Sequence, residues 1–164
     1  MAALLTDAMA YARGIAAIAT PIGPIRIETE GGALAGIRIG LGGGSAGSPL
    51  LREAAAQFAA YFAGDLTVFD LPLAPATTPD GEAQRAAIIS IGYGETRTYG
   101  ELAKASGSSA RAIGQACARN PLPILVPCHR VLPTGGALGY YSAGDGPATK
   151  AWLLKHERAE GWLL

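Results

Sequence analysis

Residues 72–81, Pro-Leu-Ala-Pro-Ala-Thr-Thr-Pro-Asp-Gly, hold three prolines and a Thr-Thr-Pro-Asp-Gly turn signal within ten positions. Proline removes a backbone donor and fixes φ, so neither a helix interior nor a central strand runs comfortably through such a stretch. We read it as the linker between two domains, 1–75 and 80–164. The chain has 164 residues, 49% of them hydrophobic and 16% charged, so apolar material suffices for real cores and disorder is not expected.

The two sides of the linker carry different periods. Before it, apolar residues alternate as strands do: Ile15 to Ile18, then Ile22, Ile25 and Ile27, then Leu34, Ile37 and Ile39, with a hairpin turn at Glu30-Gly31-Gly32. Gly40 to Gly47 is a Gly/Ser loop. Ser48-Pro49 starts a helix over Leu50–Ala63 that places Leu51, Ala54, Ala55, Phe58 and Phe62 on one stripe, and Gly64 stops it. After the linker the reading is mainly helical. A first helix covers Glu82–Ile91; Thr98 caps one over Tyr99–Ala105 that Gly107 stops. Ser108 or Ser109 caps another over Ala110–Arg119, ended by Asn120-Pro121; a last one covers Pro147–Glu160. Two short helices around a tight Gly-containing turn form a helix-turn-helix, with Arg111 in the first turn of its second helix. The fold class is therefore α/β in the α+β sense. A small strand-rich N-terminal domain with one helix precedes a helical, winged-helix-like C-terminal domain.

Met1–Ala12 carries Asp7 and no basic segment ahead of an apolar run, so no signal peptide is read, no apolar run is long enough to span a membrane, and a cytoplasmic protein is expected. Two cysteines, Cys117 and Cys128, are too few for a disulfide scaffold. With two histidines they offer no paired spacing for zinc, so no metal is expected. Net charge is zero, which by itself argues against a nucleic-acid partner. The distribution argues otherwise: residues 1–96 hold five Arg and nine Asp/Glu, whereas residues 97–130 hold Arg97, Lys104, Arg111, Arg119 and Arg130 against Glu101 alone. A block of net +4 within a neutral chain reads as a phosphate-facing surface, or as an ordinary solvated face.

The chemistry concentrates in Pro121-Leu-Pro-Ile-Leu-Val-Pro-Cys-His-Arg-Val131, read as a short apolar strand running into Pro127-Cys128-His129-Arg130. A thiol becomes a strong nucleophile as thiolate, which calls for a base or positive charge nearby. His129 and Arg130 follow at once, but adjacent side chains on an extended segment point opposite ways, so a water would have to relay the proton. A third group must fix the His129 tautomer, and the last helix offers Glu157 and His156. By residue type alone Cys128 also reads as a small buried apolar group, and Glu157 as a solvated helix position.

These residues resemble a known family. Gly94-Glu-Thr-Arg-Thr-Tyr99, Arg111-Ala-Ile-Gly114, Asn120 through Pro127-Cys-His-Arg130, Gly135 to Tyr141-Ser142 and Trp152 to Glu157 look like the motifs of the O6-alkylguanine-DNA alkyltransferases, also called methylated-DNA–protein-cysteine methyltransferases. The likeness runs from about Gly94 to Glu157; the first half matches only in layout. The resemblance implies direct damage reversal. Cys128 takes an alkyl group from O6-alkylguanine, and from O4-alkylthymine, once and irreversibly. His129 deprotonates it through water, Glu157 orients His129, and Tyr99 helps protonate the leaving base. It further implies that the nucleotide is flipped out. Arg111 fills the gap; Ala110, Ala112 and Gly114 admit a close approach to the minor groove of alkylated double-stranded DNA; Tyr99 and Arg119 add DNA contacts. Asn120, Pro127, Arg130, Tyr141 and Ser142 shape the base pocket and the turn. No cofactor, no obligatory protein partner and a monomer are expected, nucleoid-associated when on DNA.

One departure concerns the helix before Gly94, Gly81-Glu-Ala-Gln84-Arg-Ala-Ala-Ile-Ile-Ser. Gln84 matches the Gln of the family's Phe-Gln pair, but the aromatic residues of that pair and of its Val-Trp pair are absent, which puts the packing behind the site in question. Three other readings stand beside this one: a non-catalytic damage binder of the alkyltransferase-like type, a Cys-His hydrolase, and a helix-turn-helix regulator.

Overall fold

A computed structural model describes residues 13–44, 47–160 and 162; Met1–Ala12, where the absence of a signal peptide was read, lies outside them. The chain divides into two compact units between Ala74 and Pro75.

The first unit is an antiparallel sheet of β1 (Gly14–Ile18), β2 (Ile25–Glu30) and β3 (Ala33–Ile39), in that order, covered by α1 (Pro49–Ala63). Gly31 and Gly32 both take positive φ, +62° and +76°, the geometry of a two-residue hairpin turn that matches strand twist. The register pairs Ile27 with Ile37 and Ile25 with Ile39, and Ile25, Ile27 and Leu34 are fully buried under the helix. The Ser48 hydroxyl accepts from the Leu51 amide at 3.1 Å, Pro49 opens the helix, and Gly64 ends it at φ +84°. The buried stripe is Leu51, Ala54, Phe58 and Tyr61, not Phe62 as the sequence reading had it. Both spacings fit one helical face; Phe69 settles it by packing against Tyr61 and Phe58, at centroid distances of 5.3 and 5.0 Å.

The expected linker is narrower than its composition implied. The Leu34 amide donates to the Pro72 carbonyl, and the Ala74 amide to the Leu34 carbonyl, each at 2.8 Å, so residues 72–74 lie along β3. Pro72 is tolerated there because its carbonyl, not its missing N–H, makes the bond. At the other end Thr78 accepts from the Gly81 amide at 3.0 Å and caps α2 (Pro79–Ile89), which therefore starts before Glu82.

In the second unit α3 (Tyr99–Ser106) and α4 (Ala110–Ala118) form the helix-turn-helix. Thr98 and Ser109 cap them through the amides of Glu101 and Ala112, both at 3.1 Å, and Gly107 stops α3 at φ +65°. Such caps contribute about 1 kcal/mol each. β4 (Arg97–Thr98) runs parallel to β5 (Val131–Leu132), which ties the start of α3 to the segment just after Cys128. Residues 121–126 form no strand; Pro123 and Val126 share one isolated bridge, and Cys128–Arg130 is a 3₁₀ turn. α5 (Pro147–His156) is shorter than expected. Arg158 sits at φ +56° and the Ala159 amide donates back to the Leu154 carbonyl at 2.9 Å, closing the helix. No described helix is long and apolar enough to cross a membrane.

Candidate active site

Asn120 leaves the end of α4 and stitches the loop ahead of the cysteine. Its Nδ2 donates to the Val126 carbonyl at 2.9 Å and to Cys128 Sγ at 3.2 Å, while its Oδ1 accepts from the Leu122 amide at 3.0 Å. Within this loop Ile124 holds φ +75°, a left-handed conformation that strains a β-branched residue by about 1–3 kcal/mol and persists only where its surroundings over-determine it. Buried Leu122, Ile124 and Val126 together with the Asn120 amide supply that determination. Pro127 then leads into the 3₁₀ turn carrying Cys128, His129 and Arg130, all buried.

Glu157, the residue that ends α5, is the hub of the charged groups. Its Oε2 meets His129 Nε2 at 2.9 Å; Arg130 Nε reaches Oε1 at 2.8 Å and Nη2 reaches Oε2 at 3.0 Å, while Nη1 donates to the Ile91 carbonyl at 2.6 Å. Burial alone raises a carboxyl, but His129 and Arg130 outweigh it and hold Glu157 well below the usual range, hence ionised. An ionised carboxylate only accepts, so His129 Nε2 carries the hydrogen. Burial depresses His129 despite the pull of Glu157, so the ring is neutral and Nδ1 is a bare acceptor. Nδ1 is buried and has no hydrogen-bond partner among the described residues. His156, the other candidate orienter, instead stacks on Trp152 at 4.9 Å.

The structure adds a residue that sequence reasoning missed. Lys150 is fully buried, and its Nζ donates to the Val131 carbonyl at 2.8 Å and the Tyr140 carbonyl at 3.2 Å. Burial brings it down to about 8, with partial compensation from Cys128 and Cys117. A signal existed: Lys150, Leu153, Leu154 and Glu157 fall at i, i+3, i+4 and i+7, so the lysine occupies the core face of α5. At Cys128 burial pushes the thiol up, while the Asn120 hydrogen bond and then the Lys150 charge pull it back toward thiolate. Tyr99, at the start of α3, is pushed up to about 12 by burial and stays protonated at neutral pH; Cys117 is likewise pushed up to about 12, a packed thiol rather than a second nucleophile. The Tyr141 ring is buried with its hydroxyl unpaired among the described residues, and Ser142 beside it is exposed.

The basic block is smaller on the surface than in the sequence. Arg130 is 7% exposed and committed to Glu157, and Arg97 lies 3.5 Å from Glu95 and 4.0 Å from Glu101. Arg97, Lys104, Arg111 and Arg119 are exposed. Ala110 is exposed and Gly114 part-buried on α4. Ala112 and Arg119 line an open groove of about 390 Å³ with Gln115 and Ala116, facing Gly81 and Gln84 of α2. Asn120 and Val126 form part of its wall. Among the described residues no group of three or more His, Cys, Asp or Glu could hold a metal ion.

Residues 83–159 match the family model for the DNA-binding domain of 6-O-methylguanine DNA methyltransferase. The methylated-DNA–protein-cysteine methyltransferase of Methanosarcina acetivorans is 49% identical over 108 residues, 65% of this chain and 68% of that relative. The constitutive enzyme of that name from Bacillus subtilis is 47% identical over 113 residues, 68% of each chain. The solved structure of Mycobacterium tuberculosis OGT in complex with DNA superposes with a TM-score of 0.77 at 39% identity, covering 88% of this chain and 92% of that one. Sequence and fold agree, and the chain belongs to the family of methylated-DNA–protein-cysteine methyltransferases.

Proposed function

We propose that this protein repairs alkylated DNA by direct reversal, moving the alkyl group, mainly methyl, from O6-alkylguanine to its own Cys128, with O4-alkylthymine as a further substrate. The observation that carries the reading is the buried Cys128 thiol, held by Asn120 at 3.2 Å and followed in the same turn by His129, whose Nε2 is fixed by Glu157 at 2.9 Å. In the reaction the thiol proton passes through a water to the bare His129 Nδ1. The sulfur then attacks the alkyl carbon; the S–C bond forms as the C–O6 bond breaks, and the electron pair leaves with the guanine. Tyr99, protonated at neutral pH, helps to protonate the leaving base. Glu157 balances the imidazolium that forms. The thioether product is stable, so each molecule acts once.

The second unit carries this chemistry and binds duplex DNA through α4 from the minor groove, with Arg111 entering the stack that the flipped nucleotide leaves. Ala110 and Gly114 allow the close approach, and the exposed Lys104 and Arg119 face phosphates. Tyr141 and Ser142 line the base pocket. The first unit serves as support, and the protein works as a monomer. Transfer of labelled methyl from an O6-methylguanine duplex tests this. One equivalent per protein with no turnover, lost in Cys128→Ala, is expected. Tight binding to the damaged duplex without transfer would move the reading to a non-catalytic damage binder. Continued turnover with an intact thiol would favour a hydrolase.

A further inference from the structure

Tyr140 stands out among the large side chains of the second unit: it is 68% exposed, while its neighbour Tyr141 is 5% exposed. Tyr141 is buried where the base pocket is proposed, and its exposed neighbour Tyr140 stands beside it at the surface. The backbone beneath it is fixed from both sides. Its carbonyl accepts from the buried Lys150 ammonium at 3.2 Å. Gly139 before it, at φ +75°, is packed so that a Cβ would lie 2.8 Å from the Pro133 ring and 3.7 Å from Lys150 Nζ. The Tyr141 carbonyl after it lies 3.5 Å from where a Cβ on Gly146 would stand. An exposed aromatic ring on a backbone this constrained loses little conformational entropy when something stacks on it.

Resting on the function proposed above, we infer that Tyr140 is a stacking platform for DNA, receiving the base that flanks the flipped nucleotide. Every base has a π-face, so such a contact is tolerant of sequence and serves a protein that must act wherever a lesion falls. Opening the duplex exposes the faces of the bases next to the gap. Arg111 occupies the vacated stack, and Tyr140, beside the proposed base pocket, covers a face of the neighbour that moves with the extruded strand. The ring touches no reacting atom, so it acts through DNA binding and flipping rather than through the transfer step.

The test compares Tyr140→Ala, Tyr140→Phe and wild type on two substrates, an O6-methylguanine duplex and the free base O6-methylguanine. Stacking on one base predicts that Tyr140→Ala reacts about five- to tenfold more slowly with the duplex, within about twofold of wild type on the free base, and that Tyr140→Phe matches wild type on both. Fluorescence of 2-aminopurine placed beside the lesion should be quenched by wild type and Tyr140→Phe and not by Tyr140→Ala. Equal slowing on both substrates would make Tyr140 a wall of the alkyl pocket and overturn the inference. So would an unchanged duplex rate with unchanged quenching. Failure of wild type itself to react with the duplex would instead strike the underlying functional reading.

Discussion

The Asn120 amide donates at once to the Cys128 sulfur at 3.2 Å and to the Val126 carbonyl at 2.9 Å, so a single side chain both holds the strained loop and faces the nucleophile. Asn120→Ala removes both roles. Leaving buried partners unsatisfied costs about 1–3 kcal/mol, so the melting temperature should fall by several degrees. The transfer rate should fall by more than that loss of folded protein explains, about tenfold or beyond, because the thiolate loses a donor. Calorimetry beside single-turnover kinetics separates the two; a normal rate in the folded fraction would contradict the role.

Glu157→Gln breaks a buried network in which one carboxylate serves His129 and Arg130. Removing one partner of a buried pair costs about 3–5 kcal/mol, so chemical denaturation should reveal a large loss of stability. The linkage has a definite sign. The folded carboxyl lies below its ordinary value, so its contribution is fully present above about pH 4.3, the unfolded value, and is lost as pH falls through the depressed folded value. The acid-side fall in wild-type stability should be shallower in the variant, and parallel curves would refute the assignment.

Lys150 gives the reaction a pH dependence of its own. It carries charge below about 8 and loses it above, and that charge is one of the influences drawing Cys128 toward thiolate. The wild-type rate should therefore rise with pH and flatten near pH 8. Lys150→Met should be slower at neutral pH, with its profile displaced to higher pH and no bend there. Superimposable profiles would show that the ammonium acts only as a strut between the Val131 and Tyr140 carbonyls.

Arg111 is exposed in the first turn of α4 and remote in role from the thiol. Arg111→Ala should slow repair of an O6-methylguanine duplex about tenfold or more by weakening the flipped state, yet react with the free base within about twofold of wild type. Equal loss on both substrates would make Arg111 a structural residue.

Much of this was legible in the sequence because it is written locally. Ser48, Thr98 and Ser109 are caps by chemistry, Gly31-Gly32 is a hairpin turn, and the Pro-Cys-His-Arg run names the nucleophile. The pairing of His129 with Glu157 rather than His156 followed from the resemblance, and α5 delivers it through its register. What escaped depends on contacts distant along the chain. The left-handed Ile124 is set by Asn120 and the surrounding core, so local propensity pointed to a strand instead. Arg130 reads as surface charge in the sequence, but Glu157, distant along the chain, buries it. Lys150 carries a polar label on an apolar face, and only the two carbonyls that meet its ammonium explain why it is tolerated there.

The central claim is that Cys128 accepts the alkyl group. Intact mass after incubation with an O6-methylguanine duplex, followed by peptide mapping, tests it most directly. The account predicts a stoichiometric gain of one methyl group, located on Cys128 and absent from Cys128→Ala. Unmodified protein that nonetheless holds the damaged duplex tightly, or a methyl group located on Cys117, would contradict it.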